Sequence, residues 1–256
     1  MKENEIHLIE EPKLKNPVLI EGLPGLGLVG RIGAEYLINE LQAKKFAELY
    51  SPDFPPQVAI MPDGTMKMRK NEFYYYKAKK ESERDLIILI GDDQGLTVQS
   101  QYALCGSILD LCDDFNVKMI YTLGGYGMQK MIKEPRVFGA VTDKKMIKGF
   151  EKIGVEFSKV SGSIVGVAGM LLGLGELRGI KGICLMGETH GGYIDPRASK
   201  AVLKVLCESI GISVKLSGLE KKASEVEEMI KRMESLQKAQ VPDVQPNDGG
   251  KLTYIR

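Results

Sequence analysis

Three glycine-dense stretches hold most of the chemistry this chain could perform. The first, Gly22-Leu-Pro-Gly-Leu-Gly-Leu-Val-Gly30, contains Gly25, Gly27 and Gly30, a literal G-x-G-x-x-G. In a dinucleotide site such glycines let a helix N-terminus approach a pyrophosphate, with an acidic residue about twenty positions on for the ribose. Here the strand ends near Ile20, Glu21-Gly-Leu-Pro24 intervene, and the acidic residue at that distance, Asp53, sits among prolines. The GK[ST] element of a phosphate-binding loop is missing as well. The plainer reading is a closely packed strand–turn–helix joint without a bound nucleotide.

The second stretch is Gly124-Gly-Tyr-Gly127. The third, Gly187-Glu-Thr-His-Gly-Gly192, sets Glu188, Thr189 and His190 ahead of Asp195. A carboxylate, a hydroxyl and an imidazole could form an acid/base set. Three consecutive residues need not face one another, however, and no G-x-S-x-G elbow flanks them. Asp195-Pro196 reads more simply as a helix start, with the aspartate as cap and the proline in the first turn. The enzyme alternative is a nucleoside or nucleotide hydrolase or phosphorylase that gathers Gly25, Gly27, Glu188 and His190 at a glycine-rich sheet edge. Arg178 and Lys181 could hold a phosphate, although solvated turn residues are the simpler account.

The bulk composition narrows the remaining classes. The chain has 256 residues and a formal charge of +1 from 35 basic and 34 acidic side chains, so no global field recruits nucleic acid or an anionic membrane. No aromatic-interleaved basic stripe appears, and no apolar run approaches the ~20 residues of a membrane span. Cys105, Cys112, Cys184 and Cys207 lie in apolar stretches without a C-x-x-C, and His7 and His190 are the two histidines. A zinc site therefore has little to draw on, and reduced, buried thiols in a cytoplasmic protein are expected. No metal or cofactor is expected.

Hydrophobic patterning supplies the elements that would position these residues. Ile6–Ile9, Pro17–Ile20, Ala47–Tyr50, Gln57–Met61, Asp85–Ile90, Lys118–Leu123, Arg136–Val141, Gly154–Val160 and Gly182–Met186 read as strands. Asp85–Ile90 is apolar at every residue after the aspartate, the mark of a strand covered on both faces. Thr65–Lys77 reads as the second arm of a hairpin begun at 57. Tyr74, Tyr75 and Tyr76 within it alternate sides, so one ring opposes the other two. Helical spacing runs over 30–41, through Tyr102 to Cys112, and over 196–210, while Ile164–Gly175 reads as a buried helix. Alternating strands and helices predict an α/β fold, a three-layer sandwich with a mostly parallel central sheet and a C-terminal helix and flexible tail.

Residues 1–216 form the α/β core in this reading, 217–240 the helix and 241–256 the tail. Ser217 and Glu220 have capping-box spacing, and Leu219, Ala223, Val226, Ile230 and Met233 make one apolar seam. The seam packs on its own domain or pairs with a copy. Residues 241–250 have linker composition and lead to Leu252-Thr-Tyr-Ile-Arg256, an apolar and aromatic cluster on a tether.

The three signatures in order, with Gly169-Met-Leu-Leu-Gly173 and the run on to Ala198, resemble the proteasome assembly chaperone family in its archaeal form, across roughly residues 5 to 215. The resemblance implies an α/β core without an established catalytic site. It also implies self-association into a homo-oligomer and assistance of 20S assembly by binding proteasome α subunits or the α ring. Some archaeal members use a mobile tail with a hydrophobic–tyrosine–any ending, whose carboxylate pairs with a lysine. Carried onto this chain, that points to Leu252, Tyr254, Ile255 and Arg256 as partner-binding residues, the last through its carboxylate. The ending departs from the pattern: Tyr254 is third from the end, and Thr253 stands where an apolar residue is expected. Either Ile255 takes the tyrosine's slot, or the tail is not a proteasome ligand. The expected function is a non-catalytic, ATP-independent chaperone without nucleic-acid or membrane partners.

Overall fold

The computed structural model describes residues 1–80, 83–128, 132–157 and 162–240, with the side chains of 231 and 233–240 set aside. In chain order, β1 (Glu5–Leu8) and β2 (Val18–Gly22) precede α1 (Val29–Leu41) and β3 (Lys44–Tyr50). A short pair, β4 (Val58–Ile60) and β5 (Met66–Met68), leads to β6 (Asn71–Tyr76), β7 (Leu86–Gly91) and α2 (Val98–Asp114). There follow β8 (Met119–Gly127), β9 (Val137–Val141), α3 (Ile147–Glu151), β10 (Val155–Phe157), α4 (Val167–Leu177) and β11 (Lys181–Thr189). The chain continues as α5 (Pro196–Ile210) and α6 (Ser217–Gln240).

Nine strands form one sheet in the order β1-β3-β6-β7-β2-β8-β11-β9-β10. The centre, β7-β2-β8-β11, is parallel throughout. Its flanks are antiparallel except for the outer β9–β10 pair, so the sheet is mixed, with its parallel part in the middle. Every residue of β2 and β7 is buried, as their unbroken apolar runs require. One core lies between the sheet and α1, α5 and α6, around Ile20, Leu37, Ile88, Ile183, Leu203 and Leu219. The other lies beneath α2 and α4, around Leu19, Leu89, Leu104, Ile108, Leu171 and Leu172. The three-layer α/β architecture thus follows from the two alternating faces of the same strands.

The 57–77 segment departs from the simple hairpin. β4 and β5 pair with each other alone, and β6 leaves them to enter the main sheet between β3 and β7. Capture by the loop after β7 explains the switch. The Asn71 amide donates to the Asp93 carbonyl at 3.0 Å, Arg69 bonds Asp93, and the Asp92 N–H donates to the Lys70 carbonyl at 3.1 Å. Beyond that point Phe73 and Tyr76 are buried, whereas Val58, Ile60, Met66 and Met68 stay exposed.

The helix ends follow local chemistry. Thr97 and Ser100 make a reciprocal capping box at α2. Asp195 accepts from the Ala198 N–H at 3.0 Å to start α5, with Pro196 in its first turn. Helix α6 begins at Ser217 itself, so Glu220 is free of the expected capping role and pairs with Lys200. Its seam folds back on the same chain through buried Leu219, Ala223 and Ile230, reinforced by the Arg197–Glu227 ion pair at 2.5 Å. Residues 241–256 and the Met233 side chain lie outside the described residues.

Glu21 is an exception to the apolar interior. It is 1 % exposed; one carboxyl oxygen accepts the Leu23 N–H at 2.7 Å, while Oε2 has no partner among the described residues. Burial pushes its pKa from 4.5 up to about 7, against the smaller opposing effect of the Leu23 bond. Below about pH 4.5 the group is protonated in folded and unfolded chains alike. As pH rises towards 7 the unfolded chain releases the proton first, and stability is lost until the folded pKa is passed. Between pH 5 and 8, the native protein should lose roughly 3 kcal/mol relative to Glu21→Gln. Denaturant midpoints at the two pH values measure that difference.

Candidate functional site

The four central parallel strands end on one side of the sheet, where α/β proteins usually hold ligands. The first glycine stretch reaches this edge through a single 3-10 turn, Leu26–Leu28, in which Gly27 (φ 61°) and Leu28 (φ 51°) are both left-handed. Close contact explains the glycines. A Cβ on Gly30 would overlap the Leu123 carbonyl of β8. One on Gly27 would sit 2.6 Å from the Thr189 hydroxyl, and one on Gly125 2.5 Å from the Leu26 carbonyl. The same edge is tied by hydrogen bonds from the Asp195 N–H to the Gly27 carbonyl (2.8 Å) and from the Ser199 hydroxyl to the Val29 carbonyl (2.9 Å).

The second glycine stretch lies wholly within a strand, and the third begins in one and bends at Gly191. Gly124–Gly127 lie within β8 and Gly187–Thr189 within β11, in register Gly125↔Gly187 and Gly127↔Thr189. Their glycines clear a path for Leu26, which crosses above the strands, and for Ala198, whose carbonyl would lie 2.8 Å from a Gly187 Cβ. The space that a pyrophosphate would need above the first turn is occupied by the chain's own Leu26 and Asp195. Asp53 is exposed after β3, and β6 and β7 separate β3 from β2. At ~4.8 Å per strand it stands three strands from the glycine turn.

The residues of the enzyme alternative are only partly brought together. Gly27 meets Thr189 and Asp195, but Glu188 faces β9 and is 3 % exposed. Its carboxylate accepts from Arg136 Nη2 (2.6 Å), Nε (3.1 Å) and backbone N–H (3.0 Å). Arg136 also pairs with Glu156 at 3.1 Å and lies over the Phe138 ring. Such a bidentate grip holds a carboxylate in one orientation. His190 accepts the Gly192 N–H at 3.2 Å and leans on Tyr193. The cavity beside it, walled by Ile132, Tyr193, Ile194, Arg197 and Ile230, has about 20 Å³, room for one water.

Other charged groups neutralise one another. Arg178 pairs with Asp110 (2.7 Å) and Asp113 (2.8 Å), and Lys181 with Asp143 (3.1 Å), as solvated turn residues do. On the β3–β6 flank, Lys45 and Lys70 alternate with Glu48 and Glu72, two charges of each sign. Burial would raise the Glu48 carboxyl, but hydrogen bonds from Lys45, Lys70 and Tyr50 hold it down at about 2. All four cysteines are free and buried, and burial pushes each thiol up to about 12, far from a nucleophilic thiolate. Among the described residues there is no group of three or more acidic, histidine or cysteine side chains placed to hold a metal. Nor is any described helix long and apolar enough to cross a membrane.

Two surfaces escaped the sequence reading. The β4–β5 pair aligns Val58 with Met68 and Ile60 with Met66, which puts four exposed apolar side chains on one face. The 164–175 segment, expected to be a buried helix, is buried along Val167, Leu171, Leu172 and Gly175, while Val165, 89 % exposed, and Gly173 face solvent. Its lack of charge is the signal that reads as an interior helix. The tail residues Leu252, Tyr254, Ile255 and Arg256 lie outside the described residues.

A family profile described as the PAC2 family matches residues 19–234. The uncharacterized protein MJ1210 of Methanocaldococcus jannaschii is 40 % identical over 244 residues, which is 94 % of this chain and 93 % of that one. Among solved structures, Pyrococcus furiosus PbaB, described as an archaeal proteasome activator, superposes with a TM-score of 0.87 at 43 % identity. That match covers 91 % of this chain and all of PbaB. Pyrococcus furiosus PbaA, described as an archaeal homolog of proteasome-assembly chaperone, gives 0.76 at 31 % identity over 92 % and 94 % of the two chains.

If close packing is what the glycines serve, a single methyl group should break the edge. Gly30→Ala has to displace the Leu123 backbone, and the expected cost is about 2–3 kcal/mol. Gly106→Ala, where no atom lies within 4 Å of the added methyl, should be neutral or mildly stabilising. Thermal melts of the two variants side by side check the contrast.

Proposed function

We propose that this chain, which belongs to the PAC2 family, is a non-catalytic protein that binds proteasome α subunits or the assembled α ring inside the cell. One observation carries the reading: the strand-end edge, where an α/β enzyme would take a small molecule, is filled by Leu26, Asp195 and the glycine contacts beneath them. An edge packed with its own chain is a scaffold for presenting surfaces. The likeness to PbaB and PbaA supplies the partner class, since both are described in terms of the proteasome.

Two modes are compatible with that partner: assistance to assembly, in line with PbaA as a homolog of proteasome-assembly chaperone, and activation, in line with PbaB as a proteasome activator. The higher identity and TM-score to PbaB favour engagement of finished particles. The proposed contact arm is Leu252, Tyr254, Ile255 and Arg256, carried on sixteen residues that could extend roughly 50 Å. Helix α6 passes the His190–Tyr193 loop at Ile230. Self-association would present several arms to one ring and multiply a weak individual contact. In this reading the binding is independent of ATP.

Size-exclusion chromatography with light scattering, on mixtures with α subunits and with 20S particles, tests the proposal. The full chain should co-elute with one of them, and a chain ending at Gln240 should bind at least tenfold more weakly, as should Tyr254→Ala combined with Ile255→Ala. A complex that survives truncation would shift the contact to the α/β core. No complex with either preparation would overturn the proposal.

A further inference from the structure

Strand β1 is an outer edge of the nine-stranded sheet, and among the described residues no strand pairs with its far side. Its bonds to β3 fix what that side offers. The Ile9 N–H donates to the Phe46 carbonyl at 2.7 Å, and the register continues as Leu8↔Ala47, His7↔Glu48 and Ile6↔Leu49. Antiparallel pairs alternate between bonded and unbonded. Glu5, His7 and Ile9 therefore turn their backbone groups to β3, and the N–H and C=O of Ile6 and Leu8 point outward. Edge strands are usually guarded by a charge, a proline or a bulge. Ile6 and Leu8 supply none of these, and Leu8 is 58 % exposed.

The side chains of the same two residues look towards α2. Asn4, on their side of the strand, donates to the Ser107 hydroxyl at 3.2 Å, which brings the 107–114 stripe of α2 over this edge. Between β1, the strap at residues 11–14 and the end of α2 lies a groove of about 830 Å³. Clefts that hold ligands run to roughly 300–1,000 Å³. Ile6, Leu8, Leu14, Leu111 and Phe115 form its apolar walls.

Its polar walls are mostly of one sign. Glu11, Asp110 and Asp114 line it against one cation, Lys13. Asp110 shares Arg178 with Asp113, whereas Asp114 and Glu11 have no ion-pair partner among the described residues. Helix α2 also ends here without a basic residue in its last turn, although the carbonyl end of a helix favours cations.

We propose that β1 and this groove take an extended segment of another protein, apolar and basic in alternation with small polar residues, as an added strand. Such a segment bonds the outward backbone of Ile6 and Leu8 at the usual spacing of about 4.8 Å, and every second side chain enters the groove. Two apolar side chains, two residues apart, lie beside Ile6 and Leu8, and a Lys or Arg two residues further meets Asp114 and Glu11. Charge selects this occupant. The acidic groups repel nucleic acid and anionic lipid, and a second copy of the chain would set Asp114 and Glu11 against their own likes. The inference uses no residue of the C-terminal arm and does not depend on proteasome binding.

Calorimetric titration of the full chain with the peptide acetyl-Thr-Val-Thr-Leu-Thr-Arg-amide tests the site. A dissociation constant tighter than about 1 mM is expected. Replacing the peptide's Arg by Glu, or Asp114→Lys in the protein, should each weaken it about fivefold, the scale of an exposed charge pair. Leu8→Pro removes an N–H that β3 does not use, so the chain should keep its thermal melt and lose the peptide. A probe that cannot disturb the fold is methylation of alternate peptide nitrogens: one set should abolish binding and the other should not. No binding at about 1 mM peptide would overturn the proposal. So would binding indifferent to Asp114→Lys and equally tolerant of both methylated sets. Binding at least tenfold tighter to a chain ending at Gln240 would give the groove to the chain's own tail, and would overturn the proposal as well.

Discussion

The approach of the first turn of α1 to the backbone of β8 governs the rest of this architecture. Gly30 rests on the Leu123 carbonyl, and Gly22 lies beneath Ala34 of the same helix, so the helix sits closer to the sheet than any side chain at those positions would permit. Leu26 can then cross Gly125 and Gly127, and the Asp195 N–H can reach the Gly27 carbonyl to fix the start of α5. Helix α6 in turn packs on α5. A chain of close contacts thus runs from one glycine to the outermost helix. Such contacts use backbone rather than side-chain polar groups, and they leave a wall where other α/β proteins leave a crevice.

Polar groups inside the fold support this picture of a scaffold. Glu188 is held by three bonds from Arg136, the β3–β6 charges cancel in pairs, and the thiols are buried. Strong electrostatic coupling at an active site normally brings one titratable group near neutrality next to an open space. Glu21 has the shifted acidity but is buried, 1 % exposed, near the end of β2. Exposed apolar side chains, by contrast, gather on one face of the β4–β5 pair, where Val58, Ile60, Met66 and Met68 stand together.

Much of the fold was legible from periodicity. Helix α5 occupies 196–210 as its spacing and its Asp195-Pro196 start indicate, and the all-apolar β7 is buried at every residue. The misreadings share a cause, which is that local patterns took non-local reasons. Glycine within a strand looks like a turn when Leu26, a hundred residues away, is not yet in place above it. β6 reads as a hairpin arm because its capture by Asp93 is a tertiary event. Glu188 and His190, which need not face one another as near neighbours in sequence, are parted in the fold because Arg136, distant in sequence, takes the carboxylate. The α4 segment carries a signal of burial that holds for its sheet-facing side, Val167, Leu171, Leu172 and Gly175, and not for Gly173 on the other. The three ordered glycine signatures were more informative than any one of them, because the edge they build needs all three at once.

Electron microscopy of this protein mixed with finished 20S particles addresses the central claim most directly, since it locates contact without presuming a mechanism. The account predicts added density on the end faces of the cylinder, over the α rings, at saturating protein. Bare end faces under those conditions, or density confined to the side wall, would contradict it.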